Sequence, residues 1–408
     1  MEEWKTYKIK DISKVNLSQY SLKEGWEEIA YLDTGSITEN RIDSIQTFIL
    51  PCDDFPSRAR RKVRHNDILF STVRPNQRHY GILKNPPENL LVSTGFAVIT
   101  VDPALADADF VYFYLTQTEL IDFLQGVAEQ SVSAYPSLKS SDIEDLEIVL
   151  PSLAEQKRIA SILSSLDNKI ALNVRINHNL EEQAQALYKS WFVDFVPFMD
   201  ERFVDSELGK IPEGWHVGTL SELGDIVAGG TPSKAKPEYY TNNGIAWLTP
   251  KDLSVKCIKY TSRGETDITE EGYKNSSAKL MPRGSILFSS RAPIGYITIA
   301  KGDICTNQGF KSVVPRYAGT GYLYYWLREH TDAIESQASG STFKEASGSL
   351  MKSFPAIIPD KNVLDSFEKE LAPILNEQEI LEEQIYHAEQ IRDSLLPRMM
   401  SGELVITC

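Results

Sequence analysis

Apolar side chains recur at helical spacing in two long stretches of the chain. The first stretch begins at Ser152, where Glu155 completes a capping box, and its apolar stripe runs through residues 159–191. The second stripe runs through residues 364–395. A single exposed helix cannot bury such a stripe, so we predict two long helices that pair with one another. The alternative is that each stripe packs against its own domain.

Polar residues interrupt both stripes. Asn173 falls at a core position of the first helix, where a buried Asn would fix the register of the pair; the alternative is that it faces solvent at a bend. Gln378 and Arg392 interrupt the second stripe. Pro373 predicts a kink or a restart of that helix near Ala372, because proline removes a backbone donor and clashes with the preceding turn.

The rest of the chain alternates short apolar runs with Gly, Pro and Asn, which is typical of strands and turns. The clearest predicted strands lie within residues 67–71, 91–101, 285–289 and 296–300, and helical pieces lie at 110–124 and 322–338. This pattern predicts a mixed α+β domain in front of each long helix.

The chain contains an internal repeat. Residues 68–71 and 286–289 both read Ile-Leu-Phe-Ser, at an offset of 218. Gly95-Phe96 returns as Gly309-Phe310 at an offset of 214, and the apolar pair before Pro151 returns before Pro359 at 208. The order is kept while the offset drifts slowly, so the chain is two copies of a unit of about 200 residues.

Charge is distributed unevenly. The chain has 42 Lys+Arg and 57 Asp+Glu, a formal net charge of −15, which argues against a general nucleic-acid coat protein. Residues 56–84 nevertheless hold eight Lys/Arg against one acid, and residues 274–316 hold seven against one. These segments are either two DNA-facing patches on an acidic body or two ordinary solvated surfaces.

The sequence lacks the motifs of the common enzyme classes. It has no P-loop, its four cysteines form no Cys-x-x-Cys pair, and its six histidines show no metal-ligand spacing. Asn85-Pro86-Pro87 is followed by Glu88 instead of the aromatic residue that a base-methylating enzyme stacks on its target. We therefore expect a binding protein without catalysis of its own. No signal peptide and no apolar run of about 20 residues are evident, which predicts a cytoplasmic protein.

The joint between the two repeats carries the most specific string. Residues 187–198 read LYKSWFVDFVPF and residues 206–215 read SELGKIPEGW, and both resemble the specificity subunits of type I restriction-modification systems. Similar strings occur at 392–398, at 401–404, at 307–310 and at 340–344. The resemblance covers the whole chain, although the first repeat has no clean counterpart of Gly340-Ser341-Thr342.

The resemblance implies a fold and a set of partners. The fold class would be α+β, with two tandem mixed α/β target recognition domains, each followed by a long helix, and the two helices would pair as an antiparallel coiled coil. The predicted domains are residues 1–150 (first recognition domain), 151–195 (central helix), 196–358 (second recognition domain) and 359–408 (C-terminal helix). Each recognition domain would read one half of a split site in double-stranded DNA.

The partners would carry the chemistry. By resemblance, the helices space the two domains and bind two methyltransferase subunits, and two motor and nuclease subunits complete the assembly. S-adenosylmethionine, ATP and magnesium would be bound by those partners and not by this chain. The chain would thus be the non-catalytic subunit of a complex that methylates adenine and cuts unmodified DNA, a type I site-specific deoxyribonuclease.

Most candidate DNA contacts follow the Ile-Leu-Phe-Ser strand of each repeat or lie in the two basic segments, and Lys344 lies outside both segments. Arg, Asn and Gln suit base reading because they bond bidentately to guanine or adenine, whereas phosphate contacts position the protein without specifying sequence. The candidates for base reading are Arg74, Asn76, Gln77, Arg78, Arg291, Asn307, Gln308 and Lys311. The candidates for phosphate contact are Arg58, Arg60, Arg61, Lys62, Arg64, Lys274 and Lys344. For each of them, the alternative is an ordinary solvated side chain.

A second function class stays open at this point. The same duplication would suit a coiled-coil scaffold or adaptor with two ligand-binding domains and no DNA role. Salt titration of DNA binding distinguishes the two, because a DNA reader loses affinity steeply as salt rises.

Overall fold

The computed structural model describes residues 4–50, 52–131, 135–255, 258–340 and 344–404. It divides into two compact units. The first unit combines Met1–Ile170 with His387–Cys408, and the second is Ala171–Tyr386. Each long helix is shared between the units, so this division does not test the predicted domain boundaries, which stay a prediction.

The first unit is built mainly from short strands. Its strands are β1 (Lys5–Lys8), β2 (Ser13–Val15), β3 (Glu28–Leu32), β4 (Ile37–Thr38), β5 (Arg41–Ile42), β6 (Gln46–Ile49), β7 (Ala59–Lys62), β8 (Ile68–Ser71), β9 (Tyr80–Ile82), β10 (Leu90–Ser93), β11 (Phe96–Val101) and β12 (Glu147–Leu150). Its helices are α1 (Ile9–Ile12), α2 (Ala108–Leu115), α3 (Thr118–Glu129), α4 (Ser140–Glu144) and the first part of α5 (Leu153–Phe192). Two four-stranded sheets have the orders β6-β3-β10-β7 and β2-β11-β8-β9, and β1 pairs with β12.

The second unit repeats part of this topology. Its strands are β13 (Phe203–Ser206), β14 (Gly209–Pro212), β15 (His216–Thr219), β16 (Gly224–Ala228), β17 (Tyr240–Thr241), β18 (Trp247–Leu248), β19 (Tyr260–Thr261), β20 (Asp267–Ile268), β21 (Ile286–Ser290), β22 (Ile294–Ala300), β23 (Cys305–Thr306), β24 (Lys311–Pro315) and β25 (Pro355–Ile358). Its helices are α6 (Leu220–Leu223), α7 (Pro250–Val255), α8 (Glu270–Lys274), α9 (Thr320–Gln337), α10 (Gly348–Ser353) and part of α11 (Lys361–Met400).

The two units share a central sheet order. In the second unit β16-β24-β21-β22 takes the place of β2-β11-β8-β9 and gains β19 at one edge, and β15 pairs with β25 as β1 pairs with β12. The repeated Ile-Leu-Phe-Ser strands are β8 and β21, and all four of these residues are buried in each copy. The α+β fold class is confirmed, and the internal repeat is visible in the strand order.

Two predicted elements are divided in the structure. The run at 91–101 forms two strands, β10 and β11, that belong to different sheets because the chain turns at Thr94 and Gly95. The run at 110–124 forms α2 and α3, which are separated at Thr116 and Gln117. The apolar spacing continues across both breaks because the elements before and after each break pack against a core. Periodicity alone does not show where the backbone changes direction.

In the second unit α5 and α11 run antiparallel. Asn173 is buried, and its Nδ2 donates to Gln384 Oε1 at 3.1 Å. Further along α5, Glu181 Oε2 accepts from Gln378 Nε2 at 3.1 Å. As the residue number rises along α5, the number of its partner falls along α11. The buried reading of Asn173 is therefore confirmed.

In the first unit, the N-terminal part of α5 contacts the C-terminal part of α11. Arg392 Nη1 of α11 donates to Asp167 Oδ1 of α5 at 3.0 Å, and Leu163 and Met399 lie in one buried cluster. The predicted pairing of the helices holds in each unit.

The predicted restart at Pro373 is wrong, because α11 is continuous from Lys361 to Met400. Pro373 lies on the exposed face, where the carbonyl that loses its partner can bond water.

In both units the long helix binds the N-terminus of a domain helix. Gln156 Oε1 of α5 accepts from the backbone N–H of Asp107, at the start of α2, at 2.9 Å. Glu368 of α11 accepts from the backbone N–H groups of Gly321 and Tyr322, at the start of α9, at 3.2 and 2.7 Å. These contacts satisfy amides that have no partner inside a helix.

The second unit adds a buried ion pair to this attachment. The Lys259 ammonium donates to Glu181 Oε2 at 2.7 Å, to Gln378 Oε1 at 2.7 Å and to the Tyr325 hydroxyl at 2.6 Å. Burial opposes the charge on Glu181, yet the Lys259 ammonium and two side-chain amides lower the pKa of its carboxyl to about 2. Burial lowers the pKa of Lys259 to about 8, against the pull of that carboxylate, so both groups are charged at pH 7.

Candidate nucleic-acid interface

The end of strand β8 is fixed by two backbone contacts. The Thr72 N–H donates to the Gly95 carbonyl at 2.8 Å, and the Leu138 N–H donates to the Thr72 carbonyl at 2.7 Å. Val73 and Ser137 form an isolated β-bridge beside them. Three segments that are far apart in sequence therefore meet where the strand ends.

The end of strand β21 is fixed in the same way. The Ser290 N–H donates to the Gly309 carbonyl at 2.7 Å, and the Ala346 N–H donates to the Ser290 carbonyl at 2.9 Å. Arg291 and Glu345 form the isolated β-bridge. We call this arrangement the loop frame: Thr72, Gly95 and Leu138 in the first unit, and Ser290, Gly309 and Ala346 in the second.

The loop frame shows which side chains occupy matching places. The bridge pairs match Val73 with Arg291 and Ser137 with Glu345. Two residues beyond each frame glycine, Ala97 matches Lys311. The same backbone positions are therefore uncharged in the first unit and charged in the second. We call Arg291, Glu345 and Lys311 the charged triad.

Within the charged triad, Glu345 lies between the two cations. Its Oε1 is 3.2 Å from Lys311 Nζ, and its Oε2 is 3.5 Å from Arg291 Nη1. The Lys311 side chain is only 12% exposed, whereas those of Arg291 and Glu345 are 37% and 38% exposed. The structure thus brings together two predicted site residues and one acid that sequence reasoning missed.

The base-reading candidates of the first unit lie on one turn after β8. Arg74, Asn76 and Gln77 are exposed, and Arg74 and Arg78 both have positive φ, at 49° and 56°. The Arg74 guanidinium lies over the Tyr135 ring, 5.2 Å from its centroid. Arginine stacked on an aromatic ring is presented as a rigid plane, which suits recognition of a base edge.

Arg78 is more enclosed than its neighbours on this turn. Its Nη1 donates to Glu39 Oε1 at 3.2 Å, and its Nη2 donates to the Thr118 hydroxyl at 3.2 Å. Burial alone would lower the pKa of its guanidinium, but Tyr80 and Glu39 raise it. Arg78 therefore joins the turn to other parts of the unit, and only its remaining donors can face a ligand.

The phosphate candidates on β7 have different surroundings. Arg61 is half-buried, and its Nη1 donates to Asn16 Oδ1 and to the Phe96 carbonyl. Burial lowers the pKa of its guanidinium. Its predicted phosphate contact gains no support from this position. Lys62 pairs with Glu24.

The outer residues of this segment are more accessible. Arg58 and Arg64 are exposed, and Arg60 lies over the Phe55 ring at 5.8 Å. Arginine in such a place keeps most of its donors directed to solvent. A phosphate contact from these three positions is sterically open and stays a prediction.

The remaining candidates of the second unit surround the loop frame or lie on the domain surface. Asn307 Oδ1 accepts from the Gly309 N–H at 2.8 Å, which shapes the turn, and exposed Gln308 accepts from the Thr231 hydroxyl. Lys274, at the end of α8, and Lys344 are both exposed. In the string 340–344, residues 341–343 lie outside the described residues, as do residues 132–134 of the matching region.

Glu345 could have been found from the repeat. Ser137 and Glu345 are related by an offset of 208, which is also the offset between β12 and β25 at the domain base. Applying that offset to the region after each domain helix would have placed Glu345 opposite the strand end. The predicted contacts end one residue earlier, at Lys344.

The described residues contain neither a candidate metal site nor a candidate membrane span. Among them, no group of three or more His, Cys, Asp or Glu side chains is arranged to hold a metal ion. None of the helices in the described ranges is long and apolar enough to cross a membrane.

Comparison with known proteins identifies the class. The model of the type I restriction modification DNA specificity domain matches residues 1–182 and 212–386. The chain belongs to this family: it is a specificity subunit of the type I restriction-modification class, whose role is recognition of DNA sequence.

Individual relatives extend over the whole length. The type I restriction enzyme HindI specificity subunit of Haemophilus influenzae is 26% identical over 99% of this chain and 100% of its own length. The type I restriction enzyme MjaIX specificity subunit of Methanocaldococcus jannaschii is 41% identical over 38% of this chain and 36% of its own. The crystal structure of a type I restriction-modification system S subunit from M. genitalium has a TM-score of 0.61 at 15% identity, covering 99% of this chain and 97% of that one; this likeness concerns the fold.

Proposed function

We propose that the chain reads a bipartite site in double-stranded DNA, with one half-site read at the loop frame of each unit. The observation that carries this proposal is the loop frame itself. Identical backbone contacts hold three segments together in both units, while the side chains that they present differ. A constant frame with variable side chains is what independent reading of two unlike half-sites requires.

The long helices are the proposed docking surface for two methyltransferase subunits. Beyond the residues that pair, the helices expose large apolar side chains. In the second unit these are Leu172 (55% exposed) and Ile176 (39%) of α5, and Ile380 (46%) and Tyr386 (53%) of α11. Leu172 and Ile176 are four residues apart, so they lie on one face of α5. Apolar side chains that face water along a helix are typical of a protein interface.

The complex, and not the chain, would supply the chemistry. The methyltransferase subunits would bind S-adenosylmethionine and methylate adenine, and two motor and nuclease subunits would use ATP and magnesium to cut unmodified DNA. This division is supported by an arginine at or beside each loop frame, Arg74 and Arg291, and by the exposed apolar side chains of the helices. Family membership favours this function over a scaffold without a DNA role.

Reconstitution tests the proposal. The purified chain, its methyltransferase subunit and S-adenosylmethionine are combined with genomic DNA, and methylated adenines are mapped by sequencing. We expect methylation at one bipartite sequence with the complete mixture and none when either protein is omitted. Methylation by the chain alone, or a map without a bipartite consensus, would contradict the proposal. Loss of DNA binding with rising salt excludes the scaffold alternative.

A further inference from the structure

The ammonium of Lys311 has no donor left for DNA. A lysine ammonium has three donors. Lys311 Nζ lies 3.2 Å from Glu345 Oε1, 3.4 Å from the Ser290 hydroxyl and 3.5 Å from the Gln308 carbonyl. Since its side chain is nearly buried, it could reach a phosphate only by leaving these acceptors. Lys311 therefore holds Glu345 in place.

Glu345 in turn restrains Arg291. Their backbones are joined by the β-bridge, and Glu345 Oε2 lies 3.5 Å from Arg291 Nη1. Arginine has five N–H donors, so one ion pair leaves most of the guanidinium fork available. Arg291 is half-exposed, so its guanidinium can pair with Glu345 and still donate to a ligand at the surface.

We propose that Glu345 is a positioning residue that makes Arg291 a guanine reader in the second half-site; this inference rests on the proposed function. Bidentate bonding to guanine O6 and N7 needs the guanidinium plane at a fixed angle, whereas an unrestrained arginine makes equally good contacts to phosphate. An acid on a DNA-facing surface repels phosphate. That repulsion is tolerable when the acid contributes selectivity.

A positioning role of Glu345 can be distinguished from simple repulsion of phosphate by its effect on sequence discrimination. Replacing Glu345 by glutamine removes a negative charge, so affinity for DNA that lacks the site rises. The same change releases Arg291, so discrimination at one G·C pair falls by about 5- to 150-fold, the range that corresponds to one bidentate contact. Affinity for DNA without the site and selectivity thus move in opposite directions. A surface acid that only repels DNA would change affinity for all sequences alike.

The experiment measures duplex binding by fluorescence anisotropy, using the full chain with its methyltransferase subunit. The probes are the mapped site, duplexes changed at each base pair of either half-site, and a scrambled duplex. Glu345→Gln is compared with Glu270→Gln, a matched control: Glu270 is an exposed acid of the same unit, 3.7 Å from Lys274. We expect the control to raise affinity for every duplex without changing discrimination.

Two further variants separate positioning from structure. Arg291→Lys keeps the charge but loses the fork, and should lose discrimination at the same base pair. In the double variant Arg291→Ala with Glu345→Gln, the second change should have no further effect on discrimination, because Glu345 acts through Arg291. The first half-site should be read normally throughout.

The outcomes are distinguishable. If the unmodified chain does not separate the mapped site from the scrambled duplex, the proposed function fails. If the unmodified chain does discriminate, but Glu345→Gln changes discrimination by less than about twofold at every position of the second half-site, only the positioning role fails. A twofold change corresponds to about 0.4 kcal/mol. A second half-site without a G·C pair, or a loss spread evenly over all positions, would overturn the role as well.

Discussion

The two loop frames differ in what they hold. In the first unit the matching places carry Val73, Ser137 and Ala97, and the exposed arginine is one residue further along, stacked on an aromatic ring. In the second unit they carry the charged triad, and the arginine is restrained by an acid. The backbone contacts are the same in both. Backbone hydrogen bonds therefore fix the place of the base-reading residue, while the contacts that restrain its side chain differ between the units.

The attachment of each domain to the long helices shows a similar contrast. Both units use one polar side chain of the long helix to bind a domain helix. The second unit adds the Lys259–Glu181 pair, whose side chains are 7% and 18% exposed. The first unit has the Asp167–Arg392 pair between the long helices, at 22% and 27%. The more deeply buried pair should have the larger effect on stability.

The strongest test of the comparison replaces one reader completely. Exchanging residues 196–358 for the matching domain of a related subunit should change the second half-site and leave the first intact, because each loop frame is closed within its own unit. The readout is the map of methylated adenines in cells that carry the chimaera. Changes in both half-sites would show that the two frames do not read independently.

Breaking the buried ion pair should have the next largest effect. Lys259→Met leaves Glu181 with only the more exposed Arg328 as a cationic partner, and should lower the free energy of unfolding by up to about 3–5 kcal/mol, the cost of a fully uncompensated buried charge. Urea unfolding measures the change. Lys251→Met is the control: Lys251 pairs with Glu265 at the surface, both side chains being about three-quarters exposed. That control should change stability by less than about 1 kcal/mol, and equal losses would contradict the burial argument.

The same ion pair predicts a dependence on pH. The pKa of Glu181 is lowered to about 2 in the folded state, so its stabilising contribution is complete above the unfolded value, 4.5, and is lost as pH falls toward 2. The full loss is about 3 kcal/mol. Urea unfolding between pH 5 and pH 3 should therefore show a smaller decrease for Glu181→Gln than for the unmodified chain. Parallel curves would show that Glu181 does not titrate in this way.

Arg74 and Arg291 should act on separate halves of the site. Arg74→Ala should lower discrimination by about 1–3 kcal/mol in the first half-site, and Arg291→Ala should do so in the second. Competition binding against duplexes changed in one half-site measures both. If Arg74→Ala or Arg291→Ala leaves discrimination unchanged, that arginine does not read a base. An effect of either change in the other half-site would reverse the assignment of the two arginines.

A phosphate contact should give the smallest change. Lys274→Ala should weaken binding to all sequences alike and reduce the slope of log affinity against log salt by about one unit. Lys274 is exposed at the end of α8 and is not part of the loop frame. Anisotropy at several salt concentrations gives the slope. A change in sequence preference would move Lys274 from positioning to base reading.

Much of the architecture could be predicted from the sequence alone because it depends on local periodicity and on repetition. The apolar stripes predicted two long paired helices, and the repeated Ile-Leu-Phe-Ser run predicted a buried strand in each copy. Both patterns are local, and within one helix or strand the spacing of apolar residues alone predicts which face packs against the core. The repeat then predicted two similar domains, and the strand orders agree.

Only the tertiary structure decided which distant residues meet. Arg61 counted as a phosphate contact by composition, but the structure directs it to Asn16 and to the Phe96 carbonyl. Glu345 was not singled out, because an isolated acid carries no signal until its partners across the frame are known. Hydrogen bonds and ion pairs are short-ranged and join segments that are far apart in sequence. The fold therefore decides them, and local pattern does not.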